Sequence, residues 1–303
     1  MADARIIDGK AIAAGLRQHV AEMAALLRDT HRLTPGLATI LVGDDAASSS
    51  YVRAKGSACR SAGLASLERR LTGDTSETAL VAEIHKLNVD DRVDGILVQL
   101  PLPPQIDTHR VISAVDPVKD VDGFHPVNVG RLWTGLTGLV PCTPQGILML
   151  LRTVHWDFAG AEAVVLGRSN IVGKPVAALL LAADCTVTTV HSKTRDAASI
   201  ARRADILIAA TGRPLMVGPD WVKPGATVID AGISAISDPD GASRLVGDVA
   251  FAAVREIASA ITPVPGGVGP MTIACLLRNT VLAACRRRGL ADPPELLPAE
   301  LER

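Results

Sequence analysis

Tyr51 and Lys55 stand four residues apart, with the small residues Ala54, Gly56, Ser57 and Ala58 around them. On a helix that spacing puts both side chains on one face, and the small neighbours leave room for another group to come close. A lysine kept from water gives up its proton more readily and can serve as base or acid near neutrality. A tyrosine hydroxyl beside it can hold the amine and share its proton. A packed tyrosine next to a solvated lysine is the plainer reading of the same pair. Gln99 ends the aliphatic run Val93–Val98 and is followed by the stiff loop Leu100-Pro101-Leu102-Pro103. A polar side chain at the carboxyl end of a buried strand is where α/β sheets bind ligands, although an amide there can also simply bond loop backbone. Asp120 and Asp122 lie in Lys119-Asp-Val-Asp-Gly123, and Val118 occupies the place of the first ligand of a calcium loop, so that motif is excluded. An Asp before Gly is either a turn former or an anchor for a substrate N–H.

A second constellation begins at Ala163-Val-Val-Leu-Gly167-Arg168-Ser169-Asn-Ile-Val-Gly173-Lys-Pro175. It reads as a strand, a glycine turn and a helix start, the arrangement that lets backbone approach a pyrophosphate. The spacing departs from the usual dinucleotide fingerprint: Ser169 replaces the second glycine and Gly173 falls one residue late. The next strand ends Thr189-Val-His-Ser192-Lys193, with no acid to hold the ribose hydroxyl of NAD. Ser192, Lys193 and Arg168 suit a 2′-phosphate, so the expected cofactor is NADP; Ser192 and Lys193 capping a surface turn is the plainer alternative. Thr211–Pro214 and Asp230-Ala-Gly-Ile233-Ser234 close later strands and are candidate cofactor loops. Thr262–Thr272 sets flexible glycines between prolines and reads as a ligand contact or a hinge.

The elements that must position these groups are short aliphatic runs alternating with helical stretches. Leu37–Val42, Val93–Val98, Ala163–Leu166, Thr186–Val190, Ile206–Ala210, Thr227–Asp230 and Leu245–Val246 read as buried strands; 48–61, 77–87, 175–183, 197–201 and 272–288 read as helices. The alternation predicts an α/β protein with parallel sheets. It is expected to have two α/β domains around a cleft, the second a Rossmann-type NADP-binding domain. The Pro/Gly-rich stretch 123–144 marks the junction, which gives one domain over 1–140 plus 273–303 and another over 141–272. The last helix is expected to return to the first domain, and the tail 291–303 to be frayed.

Apolar residues make up 48% of the 303, yet only three Trp, three Phe and one Tyr occur, so the core must be aliphatic. A net charge of −1 with no long basic run argues against nucleic acid as a partner. The five cysteines show no CxxC and no zinc-ligand spacing, which predicts no metal and a reducing compartment. The uncharged stretches 132–151 and 257–277 are interrupted by Pro and Gly, and charges punctuate the first twenty residues. No membrane span or signal peptide is expected, and the cytoplasm is the expected location.

In this order, Tyr51-Val-Arg-Ala-Lys55, Gly95–Pro103, Lys119–Arg131, Pro141-Cys-Thr-Pro-Gln-Gly146, Val165–Pro175 and Thr262–Thr272 resemble the bifunctional methylenetetrahydrofolate dehydrogenase/cyclohydrolase family. The resemblance implies NADP-dependent oxidation of 5,10-methylenetetrahydrofolate and hydrolysis of the methenyl product to 10-formyltetrahydrofolate. This places the protein in one-carbon metabolism, supplying purine and amino-acid biosynthesis, and implies a homodimer. By the same resemblance Lys55 is the general acid/base, Tyr51 orients it and stacks on the folate, Gln99 bonds near Lys55, and Asp122 holds the pteridine. Val52, Arg53, Ala54, Val98, Leu100, Pro265, Gly266, Gly267, Val268 and Gly269 line the folate site. Gly167, Arg168, Ser169, Ser192 and Ile233 contact the cofactor. Two other readings stand beside this one: another two-domain NADP-dependent dehydrogenase of a small metabolite, and a non-catalytic NADP-binding sensor. A sensor has no use for a lysine held beside a tyrosine.

Overall fold

The computed structural model describes residues 3–155, 157–237 and 243–297, and its chain divides into two units. One is Ala14–Cys142 with Ile273–Arg303; the other is Met1–Ala13 with Thr143–Thr272. The opening thirteen residues therefore group with the later segment, against the expected 1–140 boundary. The reason is a backbone ladder: β1 (Arg5–Ile6) pairs parallel to a strand some 250 residues on, Arg5 opposite Ala260 and Ile6 opposite Ile261.

Helix α1 (Gly9–His31) leads into the first of the two units. There follow β2 (Gly36–Val42), α2 (Ala46–Ser61), β3 (Ala65–Leu71), α3 (Glu77–Val89), β4 (Gly95–Val98), α4 (Thr108–Ala114) and α5 (Pro126–Trp133). The strands form a parallel sheet in the order β3-β2-β4. Strands β2 and β4 are buried throughout because every residue in them is apolar or small. Strand β3 carries Glu68, Arg69 and Arg70 on an edge, so its sequence lacks an aliphatic run and it goes unnoticed in one. Side chains of Asp45, Ser76 and Asp107 accept from the first free N–H groups of α2, α3 and α4 and fix where those helices begin. Ile40, Val42, Leu80, Ile84, Val93, Ile96, Val98 and Val111 belong to one aliphatic core.

Asp94 organises the base of this sheet. Its Oδ2 accepts from the Gly36 N–H at 2.9 Å, and its Oδ1 accepts from Arg287 and Arg288 at 2.5 Å each. The arginine run at the chain's last helix is thus a set of specific ion pairs rather than a general response to the helix dipole. A methyl group on Gly36 would overlap the Arg92 carbonyl oxygen, a backbone atom that cannot move aside. Gly36→Ala is expected to cost about 2–3 kcal/mol, seen as a lower urea midpoint; an unchanged midpoint would show that the strand start can shift.

The other unit opens with α6 (Cys142–Arg152) and continues through β5 (Glu162–Leu166), α7 (Gly173–Ala182), β6 (Thr186–Val190), α8 (Ala197–Ala201), β7 (Ile206–Ala209) and β8 (Thr227–Asp230). Next come β9 (Ser234–Ser237), β10 (Ser243–Val246), α9 (Phe251–Arg255), β11 (Ala260–Ile261) and α10 (Val268–Arg287). Six parallel strands run in the order β1-β11-β8-β7-β5-β6. The order reverses at β5, whose successors lie on opposite sides of it; such a switch point opens a crevice at the carboxyl ends of the strands. Leu245–Val246, expected as a buried parallel strand, instead belongs to an antiparallel hairpin with β9, and Ser243–Leu245 are exposed.

Helix α10 is long and apolar enough to cross a membrane by length and composition, yet 78% of that stretch is buried inside the protein. From Ile273 onward it belongs with residues 14–142, as expected. Asn279 on it donates to the Val121 and Val140 carbonyls at 2.9 and 2.8 Å. The tail is tied down as far as the description reaches: buried Arg278 donates to the Leu296 carbonyl and Arg286 pairs with Asp292. The expectation of a frayed tail is corrected for 291–297, and residues 298–303 lie outside the described segments.

Candidate functional site

Ser48, Val52, Gly56 and Cys59 lie on the buried face of α2, where even a methyl group on Gly56 would meet Ser66 of β3 at an ordinary contact distance. With that face committed to the sheet, Lys55 is left half-buried, while Tyr51, Arg53 and Ala54 are exposed. The lysine Nζ donates to Gln99 Oε1 at 3.0 Å. Gln99 leaves β4 with its N–H bonded to the Ile40 carbonyl at 2.9 Å, and its Nε2 donates to the Leu100 carbonyl at 2.7 Å. The amide thus bonds loop backbone and, with its other end, the lysine. The bond to loop backbone fixes which end of the amide is oxygen, and so aims an acceptor at the lysine.

Tyr51 stays 40% exposed. Its hydroxyl makes no hydrogen bond to Lys55, so the expectation that the tyrosine holds the amine is corrected: Gln99 holds it, and the ring is free for another partner.

The two aspartates divide the work. Asp120 is buried and accepts from the N–H groups of Phe124 and His125 at 3.2 and 2.9 Å and from Asn128 Nδ2 at 2.8 Å. It is the turn former. Asp122 is half-buried and, among the described residues, its carboxylate has no hydrogen-bond partner. Burial pushes its pKa up to about 6, with Asp120 adding to the rise and Lys55 opposing it. A carboxyl group in the field of Lys55 and without an internal donor is one that can accept from a ligand. The carbonyl of neighbouring Val121 is fixed by Asn279 and by Cys142 Sγ at 3.2 Å. Burial raises that thiol well above its ordinary value, and it is no nucleophile.

In the six-stranded unit, Gly167 lies just past β5 at the switch point with φ +120°, and a methyl group there would overlap the Ala210 carbonyl that ends β7. A methyl group on Gly173 would overlap the Gly167 carbonyl. The late glycine is therefore needed to seat the start of α7 on the turn. Ser169 Oγ accepts from the Val172 and Gly173 N–H groups at 3.1 and 3.3 Å, which leaves its own proton free to donate. Arg168, Ser192 and Lys193 are exposed, and Ile233 is 47% exposed. Exposed hydroxyls and cations beside a glycine turn fit a phosphorylated dinucleotide, and these residues would hold NADP.

In the loop 262–269, methyl groups on Gly266 and Gly267 are opposed by a φ of +112° and by overlap with Thr262 and Pro263 respectively, while Gly269 has open space around it. Pro265 and Gly269 are exposed, and Val268 is buried at the first position of α10.

Asp230, which the sequence reading marks only as the start of a candidate loop, is joined here by Asp248, which that reading does not mark at all. Asp230 accepts from the N–H groups of Gly232, Asp248 and Val249, all at 2.9 Å. Asp248 Oδ2 accepts from Thr211 N, Thr211 Oγ1 and Gly212 N at 2.5, 2.9 and 3.0 Å. Burial raises the Asp230 pKa to about 6, and the charge of Asp248 adds to the rise. The only sequence signal is Gly247-Asp248 after a hairpin, and nothing local ties it to a residue eighteen positions earlier.

Comparison with known proteins agrees with this geometry. Residues 7–122 match the model of the tetrahydrofolate dehydrogenase/cyclohydrolase catalytic domain, and residues 141–288 match that family's NAD(P)-binding domain. The bifunctional protein FolD 3 of Rhizorhabdus wittichii is 62% identical over 97% of each chain. Among solved structures, the methylenetetrahydrofolate dehydrogenase/cyclohydrolase of Campylobacter jejuni is 45% identical with a TM-score of 0.90, over 94% of this chain and 99% of that one. The Trypanosoma brucei enzyme, solved with NADP and an inhibitor, is 42% identical with a TM-score of 0.91, over 96% of this chain and all of the other. A switch-point glycine turn, a lysine held by a strand-end glutamine and two matching domain models lead to one conclusion: the chain belongs to the tetrahydrofolate dehydrogenase/cyclohydrolase family.

Proposed function

We propose that Lys55, held by Gln99, moves the protons of the hydrolytic half-reaction in this bifunctional enzyme. The protein oxidises 5,10-methylenetetrahydrofolate to the 5,10-methenyl form with NADP and hydrolyses that product to 10-formyltetrahydrofolate. The observation that carries the assignment of Lys55 is its 3.0 Å hydrogen bond to Gln99, on the accessible face of α2 and in the field of an unpartnered Asp122.

The glycine turn after β5 and the end of β6 would hold NADP, which when bound would supply the hydride acceptor for the oxidation. The protein's task in that step is to hold the reacting carbon in place, which is chiefly a matter of positioning. The resulting cation is electrophilic, and its hydrolysis needs a base. Lys55 takes a proton from the attacking water and returns it to the ring nitrogen that leaves the carbon; the remaining proton is lost to solvent. Gln99 Oε1 holds the amine through this exchange. Asp122 accepts from pteridine N–H groups, and the exposed Tyr51 ring stacks on the folate. Val52, Arg53, Ala54, Val98, Leu100 and Pro265–Gly269 are further folate contacts. Gly167, Arg168, Ser169, Ser192 and Ile233 contact the cofactor, with Arg168 and Ser192 at the 2′-phosphate.

The protein works as a homodimer in the cytoplasm, in the one-carbon supply to purine and amino-acid biosynthesis, without nucleic-acid or membrane partners. The family resemblance supports the dimer and the pathway role, β6 ends its sheet with one edge open among the described residues, and the near-zero net charge and buried α10 argue against the other partners.

Turnover of methylenetetrahydrofolate, followed by methenyl absorbance with each cofactor, tests the reading as a whole. Arg168→Ala is expected to weaken NADP by about ten- to a hundredfold, the worth of a charged hydrogen bond, while NAD is little affected. An unchanged NADP-to-NAD ratio would remove Arg168 from the 2′-phosphate.

A further inference from the structure

The Asp230–Asp248 arrangement is more elaborate than the fold requires. Asp230 is the last residue of β8, and Asp248 follows β10, so the two come from different strand ends. Each carboxyl group fills the space above the other loop's glycine. A methyl group on Gly232 would overlap the Asp248 carboxyl, and one on Gly247 would overlap that of Asp230. Neither glycine has a positive φ, so neither is demanded by backbone conformation. Through these contacts the Thr211–Gly212 turn after β7 is bonded to Asp248, Asp248 N–H to Asp230, and Asp230 to the Gly232 N–H. The chain of bonds ends one residue short of Ile233.

Asp248 is fully buried, and its three donors all converge on Oδ2 while Oδ1 has no hydrogen-bond partner among the described residues. An orphaned buried carboxylate oxygen costs stability, and a well-packed apolar residue would avoid that cost. Its retention points to something other than packing.

We propose that Asp248 is a positioning residue for the dehydrogenase half-reaction: it locks the loop after β7 to the loop after β8, so that Ile233 and the Thr211–Gly212 turn are held at fixed places against the cofactor. The inference rests on the reading that these two strand-end loops face NADP. Asp248 touches neither reactant; it acts through Thr211, Gly212 and Gly232.

The experiment compares the wild type, Asp248→Asn, Thr211→Val and the double variant, each assayed separately for NADP-dependent oxidation and for hydrolysis of supplied methenyltetrahydrofolate. Asp248→Asn keeps the shape and removes the charge that gathers three donors. Its KM for NADP is expected to rise by about tenfold with a smaller fall in kcat, while the hydrolytic rate, proposed to depend on Lys55, stays within about twofold. Thr211→Val removes one donor from the same carboxylate. It is expected to raise the KM for NADP in the wild type and to add little in the Asp248→Asn background, because interacting residues are not additive. Additive effects of the two changes, an unchanged KM for NADP, or an equal loss of both activities would each overturn the positioning role. Ile233→Ala, assayed alongside, separates the two levels: if it leaves NADP binding untouched, the loop assignment fails whatever Asp248 does.

Discussion

Lys55→Met is expected to yield an enzyme that still makes methenyltetrahydrofolate and no longer consumes it. Methionine has nearly the length of the lysine stem and no titratable group, so α2 keeps its packing through Val52, Gly56 and Cys59. What disappears is the amine that donates to Gln99. General acid–base catalysis contributes about 100- to 10,000-fold, and the hydrolytic rate is expected to fall within that range. Oxidation places no proton-transfer demand on this side chain, so NADPH continues to form and methenyl absorbance accumulates in step with it. Wild-type hydrolysis of supplied methenyl compound by the variant would sink the role proposed for Lys55. Loss of NADP binding would point instead to a damaged fold.

The parts of this molecule that were legible beforehand are those whose cause is local. Largely aliphatic runs announce β2, β5 and β7, because a strand buried on both faces has few polar positions. The Gly167 turn is legible for the same reason: a strand, a glycine and a helix start are adjacent in the chain. What stayed hidden depends on distant partners. Strand β3 reads as charged because it is an edge; β1 is two residues long and exists only through its ladder to β11. Spacing of i,i+4 pairs Lys55 with Tyr51, while its hydrogen bond runs to Gln99, 44 residues away, a partner that only the family resemblance implies. The Asp120–Asp122 pair was visible, but which of the two forms the turn depends on where the N–H groups of Phe124 and His125 fall. Asp248 could not be found at all, because its meaning is the coincidence of loops from β7, β8 and β10. Patterns that report covalent neighbours survive without coordinates, and those that report closure between loops do not.

Removing the Asp122 carboxylate is expected to stabilise the protein, as removing a group proposed to serve a ligand rather than the fold should. Its pKa is raised from 3.8 to about 6, chiefly by burial. A group with a raised folded pKa holds its proton in the native state while the unfolded chain releases it. It therefore favours folding below the unfolded value, and that advantage is lost as pH rises through about 6. At pH 8 the native protein carries an ionised, half-buried carboxylate with no internal donor. Asp122→Asn removes that charge and keeps the shape, so the variant is expected to be more stable than the wild type at pH 8 by roughly 1–2 kcal/mol, after allowing for solvent screening. The gap should close towards pH 4, where the wild-type group is itself neutral. Activity should move the other way: an amide is a weaker acceptor for pteridine N–H groups, and kcat/KM is expected to drop by about ten- to a hundredfold, the worth of a hydrogen bond to a charge. Urea unfolding at both pH values, set beside the rates of both half-reactions, decides the matter. A variant that is less stable at pH 8 would mean the carboxylate has an internal partner, and one with full activity would mean the folate is held elsewhere. Stability gained where activity is lost is the behaviour expected of a group that folding alone would discard.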